Sequence, residues 1–166
     1  MNQPRLKNKL WLLNSNPVSN GFSLIELLLG IAILALLAVF AFGSYRNYAK
    51  GIELDFTAKN IAYDLRNVRA KAMSGEGRFN WGIHFVNSAS DYYEIFSSPT
   101  NYADAGKTIQ NTSFLPTTIT FSIPASSSTL DVVFSRIAAT TTTTTITIVS
   151  EDVSKSINVS SFEIGY

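Results

Sequence analysis

Residues 22–43 read FSLIELLLGIAILALLAVFAFG, and this stretch decides the architecture of the chain. Eighteen of its 22 residues are apolar, whereas most of the remaining sequence of this 166-residue chain is polar. As an α-helix, 22 residues at about 1.5 Å each span roughly 33 Å, and the hydrocarbon core of a bilayer is about 30 Å thick. The stretch therefore predicts a transmembrane helix over residues 22–44, joined to a polar body.

The segment before this stretch is basic. Residues 1–21 carry a charge of +3 and no acidic side chain, and such segments stay on the cytoplasmic side of a membrane. The charge comes from Arg5, Lys7 and Lys9. A cleaved secretory signal is one alternative, but its apolar core should be about 7–15 residues long, with a small-residue cleavage site after it. Here the apolar run is longer, and the small-residue junction Asn20-Gly21 precedes it.

Glu26 is the only charged residue between Lys9 and Arg46. A carboxylate at the centre of a membrane helix costs about 2.5–3.5 kcal/mol, and it costs less near a helix end, where it reaches the interface. One interpretation is therefore a tolerated carboxylate at the membrane surface. The other is that Glu26 takes a cationic partner during assembly. Because no Lys or Arg lies three or four residues away, that partner would be another chain or a new amino terminus.

The sequence GFSLIELL at residues 21–28 follows the basic leader directly and opens the apolar run. It resembles the prepilin processing site of type IV pilins and type II secretion pseudopilins. The resemblance implies that prepilin peptidase removes the leader, residues 1–21, by cutting after Gly21, and that the amine of Phe22 is then methylated. It also implies that Glu26 pairs with the N-terminal amine of a neighbouring subunit.

The same resemblance implies where the chain acts. It would first lie in the bacterial inner membrane, with its leader in the cytoplasm and its head outside. An assembly platform in that membrane would then transfer it into an extracellular or periplasmic filament, where its partners are other pilin or pseudopilin subunits.

After Gly43 the pattern becomes amphipathic and predicts a stem helix over residues 45–75. Apolar residues recur at intervals of four and three, as they do on one face of a helix. They are Leu54, Ala58, Ile61, Leu65, Val68 and Ala72. The helix is expected to end near Ser74-Gly75, because glycine readily adopts the left-handed conformation of a C-terminal cap.

Two features of the predicted helix leave alternatives open. No proline interrupts residues 22–74, and Gly43 stands where many pilins have a helix-kinking proline. Gly43 is therefore either a bending point or a position of close helix packing. Arg66 and Arg69 are expected to be solvated charges, with a partner site as the alternative.

From residue 76 to residue 166 the alternation changes to period two and predicts a β-rich head of six short strands. The runs centre on residues 81–85, 92–96, 119–123, 130–134, 145–149 and 157–164. Residues 97–117 are predicted to form an exposed loop. One long helix followed by strands predicts an α+β fold, in which the helix packs on one antiparallel sheet or on two small ones.

The head also carries a second resemblance. The helix sequence AYDLRNVRAKAM at residues 62–73 and the sequence DVVFSRIAATTTTTTITI at residues 131–148 resemble the H-type (GspH) minor pseudopilins and the FimT-like minor pilins. These are patterns of residues, not fixed motifs.

Composition argues against catalysis and against a cofactor. The chain has no cysteine and a single histidine, which excludes thiolate nucleophiles, disulfides and Cys- or His-rich metal sites. It contains no phosphate-binding glycine loop and no nucleophile elbow. His84 falls within strand alternation and is interpreted as structural. Glu151-Asp152 offers too few ligands for calcium by itself, so a solvated turn is expected there.

The sequence thus predicts a non-enzymatic structural subunit of a type IV pilus-like or type II secretion filament. A minor pilin for DNA uptake is one alternative, although the ten basic and twelve acidic residues after Gly21 disfavour binding to nucleic acid. A signal-anchored binding module that stays uncut outside the cytoplasm is the other.

Overall fold

A computed structural model describes residues 21–166, and it describes the side chains of residues 21–39 and 48–166. The described residues divide into two units, one that ends at Ala41 and one that comprises Phe42–Tyr166. The leader predicted at residues 1–21 lies outside the described residues except for Gly21. The possible bend at Gly43 lies among the residues whose side chains are not described.

The N-terminal helix α1 comprises Leu24–Ser74. It begins where the Ser23 carbonyl accepts hydrogen bonds from the backbone amides of Glu26 and Leu27, at 3.0 and 3.1 Å. Within the residues that the structure describes, no helix is long and apolar enough to cross a membrane. The predicted boundary between the two halves of the helix, at residue 44, stays a prediction.

The stem part of α1 buries the face that the sequence predicts. Six residues on this face are fully buried: Leu54, Ala58, Ile61, Leu65, Val68 and Ala72. The helix ends at Ser74, as expected, and Gly75 follows in the left-handed conformation with φ 68°. The Gly75 amide donates to the Ala72 carbonyl at 3.0 Å, which closes the last turn. A short 3₁₀ turn, Glu76–Arg78, leads into the head.

The head is built from two antiparallel four-stranded sheets, and this confirms the predicted α+β fold. The strands of the described region are β1 (Asn80–Val86), β2 (Tyr92–Ser98), β3 (Thr108–Phe114), β4 (Thr120–Ile123), β5 (Thr129–Phe134), β6 (Thr144–Ser150), β7 (Val153–Val159) and β8 (Ile164–Gly165). The first sheet has the order β3-β2-β1-β5, and the second has the order β4-β6-β7-β8.

Two of the sequence predictions for the head were wrong. Residues 97–117 are not one loop, because they contain the edge strand β3. Nearly every side chain of β3 is exposed, so the strand lacks the apolar alternation by which strands are recognised. The predicted strand 157–164 is also interrupted: β7 ends at Val159, and a turn at residues 160–163 separates it from β8.

The buried face of α1 and the inner faces of both sheets form one hydrophobic core. Asp91 and Asn87, both buried, tie the two sheets together at one end. The Asp91 carboxylate accepts hydrogen bonds from the Ser88 amide at 2.8 Å and the Phe121 amide at 2.7 Å. The Asn87 side-chain amide donates to the Phe121 carbonyl at 2.7 Å and to the Pro124 carbonyl at 2.8 Å. The bond from Ser88 closes the β1–β2 turn, and the other three connect this turn to β4 and to Pro124, which follows β4.

Gly82 in β1 has no room for a side chain, and Gly82→Ala should therefore destabilise the head. A Cβ there would lie 2.6 Å from the ring of Phe96 and 2.6 Å from the Val132 carbonyl oxygen, which is backbone and cannot rotate away. We expect a loss of about 1–3 kcal/mol in the free energy of unfolding, measured by urea titration. Gly51→Ala is the matched control. No atom lies within 4 Å of its Cβ, so the helix should be unaffected or stabilised by up to about 1 kcal/mol.

Candidate functional site

The start of α1 brings the three predicted processing and assembly residues together. Gly21 and Phe22 precede the helix and are exposed, and Glu26 lies in the first helical turn. Apart from the chain neighbours of Gly21, no atom of the described residues lies within 4 Å of a Cβ placed on it. The prediction that Gly21 and Phe22 form a processing site remains untested by this arrangement.

The Glu26 carboxylate is exposed, and among the described side chains it has no ion-pair partner. Its position at the N-terminus of a helix favours a negative charge, because the unsatisfied amides of the first turn carry partial positive charge. Ser23 and Glu26 also have the spacing of a capping box, in which the acidic side chain returns to the backbone amide of the serine. A local role in helix capping therefore competes with a role in assembly.

The first sixteen residues of α1 present apolar side chains on all sides. Eleven large ones are between 49% and 76% exposed: Leu24, Ile25, Leu27, Leu28, Leu29, Ile31, Ile33, Leu34, Leu36, Leu37 and Val39. We call residues 24–39 the apolar segment. Soluble proteins rarely expose so large a contiguous apolar surface, and where they do it marks a contact with another protein or with a membrane.

A polar cluster on the outer face of the first sheet was missed by the sequence analysis. His84 is buried, its Nδ1 lies 2.5 Å from Asp131, and its ring stacks on Tyr102 with centroids 3.6 Å apart. The Tyr102 hydroxyl donates to Glu94 at 2.5 Å. Burial, together with this bond to Glu94, raises the pKa of Tyr102. Strand register brings the cluster together, because Glu94 and Asp131 lie opposite His84 on the two neighbouring strands.

This cluster fixes the loop before β3 to the sheet. Lys107 places its ammonium 3.7 Å from the centre of the Tyr102 ring, which covers the outer side of the tyrosine. Asp104, in the same loop, accepts hydrogen bonds from the Gly106 amide and the Thr100 hydroxyl, and these bonds lower its pKa. The arrangement agrees with a structural role for His84.

Glu151, in the turn between β6 and β7, forms an ion pair with Lys50 of α1. Among the described residues, no group of three or more His, Asp or Glu side chains is placed to hold a metal ion.

The chain was compared with protein-family models, with curated proteins and with solved structures. A model described as the prokaryotic N-terminal methylation motif matches residues 17–42, which include Gly21, Phe22, Glu26 and the apolar segment. No curated protein and no solved structure matches the chain significantly. The matched motif, followed by a long helix and an antiparallel β-sheet head, supports the resemblance to type IV pilins and pseudopilins.

Proposed function

We propose that the chain is a structural subunit of a type IV pilus-like or type II secretion filament, and that it becomes competent to assemble when prepilin peptidase cuts after Gly21. The observation that carries this proposal is the exposed apolar segment, which begins directly after the matched Gly21-Phe22 motif. The hydrophobic core of the stem and head is formed by residues from Leu54 to Ile164 and includes none of the apolar segment.

The apolar segment needs a non-aqueous environment, and both a lipid bilayer and the core of a filament can provide one. Burying one large aliphatic side chain contributes about 1.5–3 kcal/mol relative to leaving it in water. Lipid would cover the segment before assembly, and the same segments of neighbouring subunits would cover it in the filament. Lipid tails are as apolar as leucine, so transfer between the two environments depends mainly on close packing and polar pairing.

Glu26 would supply the polar pairing. After cleavage, the amine of Phe22 is a cation at the start of the helix, and a neighbouring subunit can offer its Glu26 carboxylate to it. An unpaired charge among apolar side chains is strongly destabilising, whereas a well-placed pair removes that cost. The pairing would therefore set the register of one subunit against the next. Methylation of the amine retains its positive charge.

The remaining assignments follow from the same proposal. The leader would remain in the cytoplasm, and the head would stand outside the inner membrane until an assembly platform adds the subunit to the filament. We further propose a minor subunit of the H-type pseudopilin or FimT-like kind. The sequence patterns at residues 62–73 and 131–148, which resemble those proteins, support this assignment.

Two differently tagged copies test the proposal. Both full-length chains, tagged at the head, would be expressed together in a host with a filament system, and the sheared filament fraction would be sedimented. We expect each tag to purify the other from that fraction. A signal-anchored binding module would instead stay in the membrane fraction as separate single chains, and that result would refute the filament proposal.

A further inference from the structure

Phe162 is the most exposed large apolar residue in the described part of the head, with 91% of its side chain in contact with solvent. It lies in the turn between β7 and β8. The Ser160 amide donates to the Glu163 carbonyl at 2.9 Å, and the Ser160 hydroxyl accepts from the Glu163 amide at 3.0 Å. The turn is therefore closed by its own hydrogen bonds.

Two arginines of the stem helix fix this turn to the head. Arg69 donates to the Ser161 carbonyl at 2.6 Å and to the Phe162 carbonyl at 3.2 Å. Arg66 donates to the Ile164 carbonyl at 2.9 Å. The arginines expected to be solvated charges thus hold the backbone on both sides of an exposed phenylalanine. An aromatic side chain on a pre-ordered backbone loses little conformational entropy on binding, which is typical of the residues that anchor protein interfaces.

A groove lies between the first turns of the stem helix and β7. It has a volume of about 500 Å³ and is lined by Tyr48, Gly51, Ile52 and Asp55 of α1 and by Val153 and Lys155 of β7. Its three large apolar residues, Tyr48, Ile52 and Val153, are each about half exposed or more. We call this concavity the Ile52 groove.

The charges of the turn and of the groove are complementary. Asp55 and Lys155 line the groove 2.9 Å apart, and Lys59, which stands beside the lining, lies 2.6 Å from Asp55, so two cations share one carboxylate. The hydrogen bonds from Lys59 and Lys155 lower the pKa of Asp55 and keep it ionised. Beside Phe162, Glu163 is exposed and has no ion pair among the described side chains. The Glu163 carboxylate can therefore face Lys155 in the groove and Lys59 beside it, which together exceed Asp55 by one positive charge.

The turn and the groove of one copy are too far apart to meet. Strand β7 runs beside α1, with Lys155 against Asp55 at one end and the turn against Arg69 at the other. Ile52 and Arg69 are separated along the helix by roughly 26 Å, at about 1.5 Å per residue. A contact between turn and groove must therefore join two copies. Such a contact joins two different surfaces, the turn of one copy and the groove of the next. Repeated contacts of this kind form an open helical array when the rotation from one copy to the next does not close a ring.

We propose that Phe162 of one copy occupies the Ile52 groove of a second copy, with Glu163 facing Lys59 and Lys155. This inference rests on the proposed filament function. One aromatic side chain buries about 150–250 Å², and stable specific interfaces bury about 1,200–2,000 Å² in total. The contact is therefore too small to hold two heads together alone. It directs the arrangement of heads in an assembly that the apolar segments hold together.

Cysteine cross-linking in the assembled full-length chain tests this contact. The chain has no cysteine, so introduced thiols are the only ones present. A double variant, Phe162→Cys with Ile52→Cys, would be treated with a short thiol-to-thiol reagent in the sheared filament fraction. Because the two positions within one copy are too far apart, we expect a ladder of covalent multimers. Filaments that contain a mixture of the Phe162→Cys chain and the Ile52→Cys chain should give covalent dimers only, because each chain then carries one thiol.

Phe114→Cys with Ile52→Cys is the matched control, because Phe114 is a 67% exposed phenylalanine on β3 of the other sheet. This pair should give no ladder. Glu163→Lys in the Phe162→Cys/Ile52→Cys background should reduce the ladder.

Three results would overturn the inference: no ladder from tagged chains that do co-sediment, an equal ladder from the Phe114 pair, or dimers from Phe162→Cys alone. Dimers from Phe162→Cys alone would mean that the turns of two copies contact each other. If tagged chains do not co-sediment at all, the filament proposal itself fails.

Discussion

Glu26→Gln and Glu26→Ala should both remove the chain from the sheared filament fraction. Either change deletes the carboxylate that we propose for the Phe22 amine of a neighbouring subunit, and it leaves that amine unpaired among apolar side chains. Leaving one member of a buried ion pair without its partner costs about 3–5 kcal/mol, which corresponds to a loss of incorporation of more than a hundredfold. The measurement is the amount of chain that sediments with filaments relative to the total.

The glutamine variant separates assembly from helix capping. Glutamine can replace glutamate in a capping box, so Glu26→Gln would retain the ability to cap the Ser23 amide and would lose only the charge. If Glu26→Gln assembles normally and Glu26→Ala does not, the residue acts as a cap and the pairing is wrong. Glu53→Gln is the control, because Glu53 is an exposed acid on the same helix that accepts a hydrogen bond from Thr118. It should assemble as the unmodified chain does.

Phe85→Ala should cause the largest loss of stability of the substitutions considered for the head. Phe85 is fully buried in β1, and its ring centroid lies 5.8 Å from that of Tyr93 and 5.7 Å from that of Phe121. Tyr93 belongs to the first sheet and Phe121 to the second, so the ring fills the space between them. Removing it leaves a cavity and should lower the free energy of unfolding by about 3–5 kcal/mol.

Urea titration of the full chain in detergent, followed by tryptophan fluorescence, measures this loss. Phe114→Ala is the control, because an exposed phenylalanine away from the core should change stability by less than about 0.5 kcal/mol. Equal effects of the two substitutions would mean that Phe85 does not fill a shared core.

The stem helix could be predicted from the sequence because one of its faces is buried and its pattern is regular. All six residues at the predicted intervals from Leu54 to Ala72 are buried, and the pattern left out only Thr57 and Ala62. Strand β3 could not be predicted in this way. It lies at a sheet edge and buries almost nothing, so hydrogen bonds to β2 hold it without an apolar pattern. The break between β7 and β8 was missed because the apolar residues Ile157, Val159 and Ile164 read as one continuing strand.

The residues of the candidate site likewise fall into two groups, those that the sequence predicts and those that only the fold brings together. Gly21, Phe22 and Glu26 are adjacent in sequence, so a short motif is enough to predict them. The His84 cluster depends on strand register, and the Ile52 groove depends on the packing of β7 beside α1. Neither relation is encoded in residue spacing. Phe162 gave no signal in the sequence, because its exposure becomes unusual only when the turn is known to be fixed by Arg66 and Arg69.

Mass spectrometry of the N-terminal peptide from the assembled chain tests the central claim most directly. The claim is that removal of the leader turns this chain into a filament subunit. The account predicts that the chain in the sheared filament fraction begins at Phe22 and carries a methylated amine. A chain that enters filaments with residues 1–21 still attached, or with any other N-terminus, would contradict it.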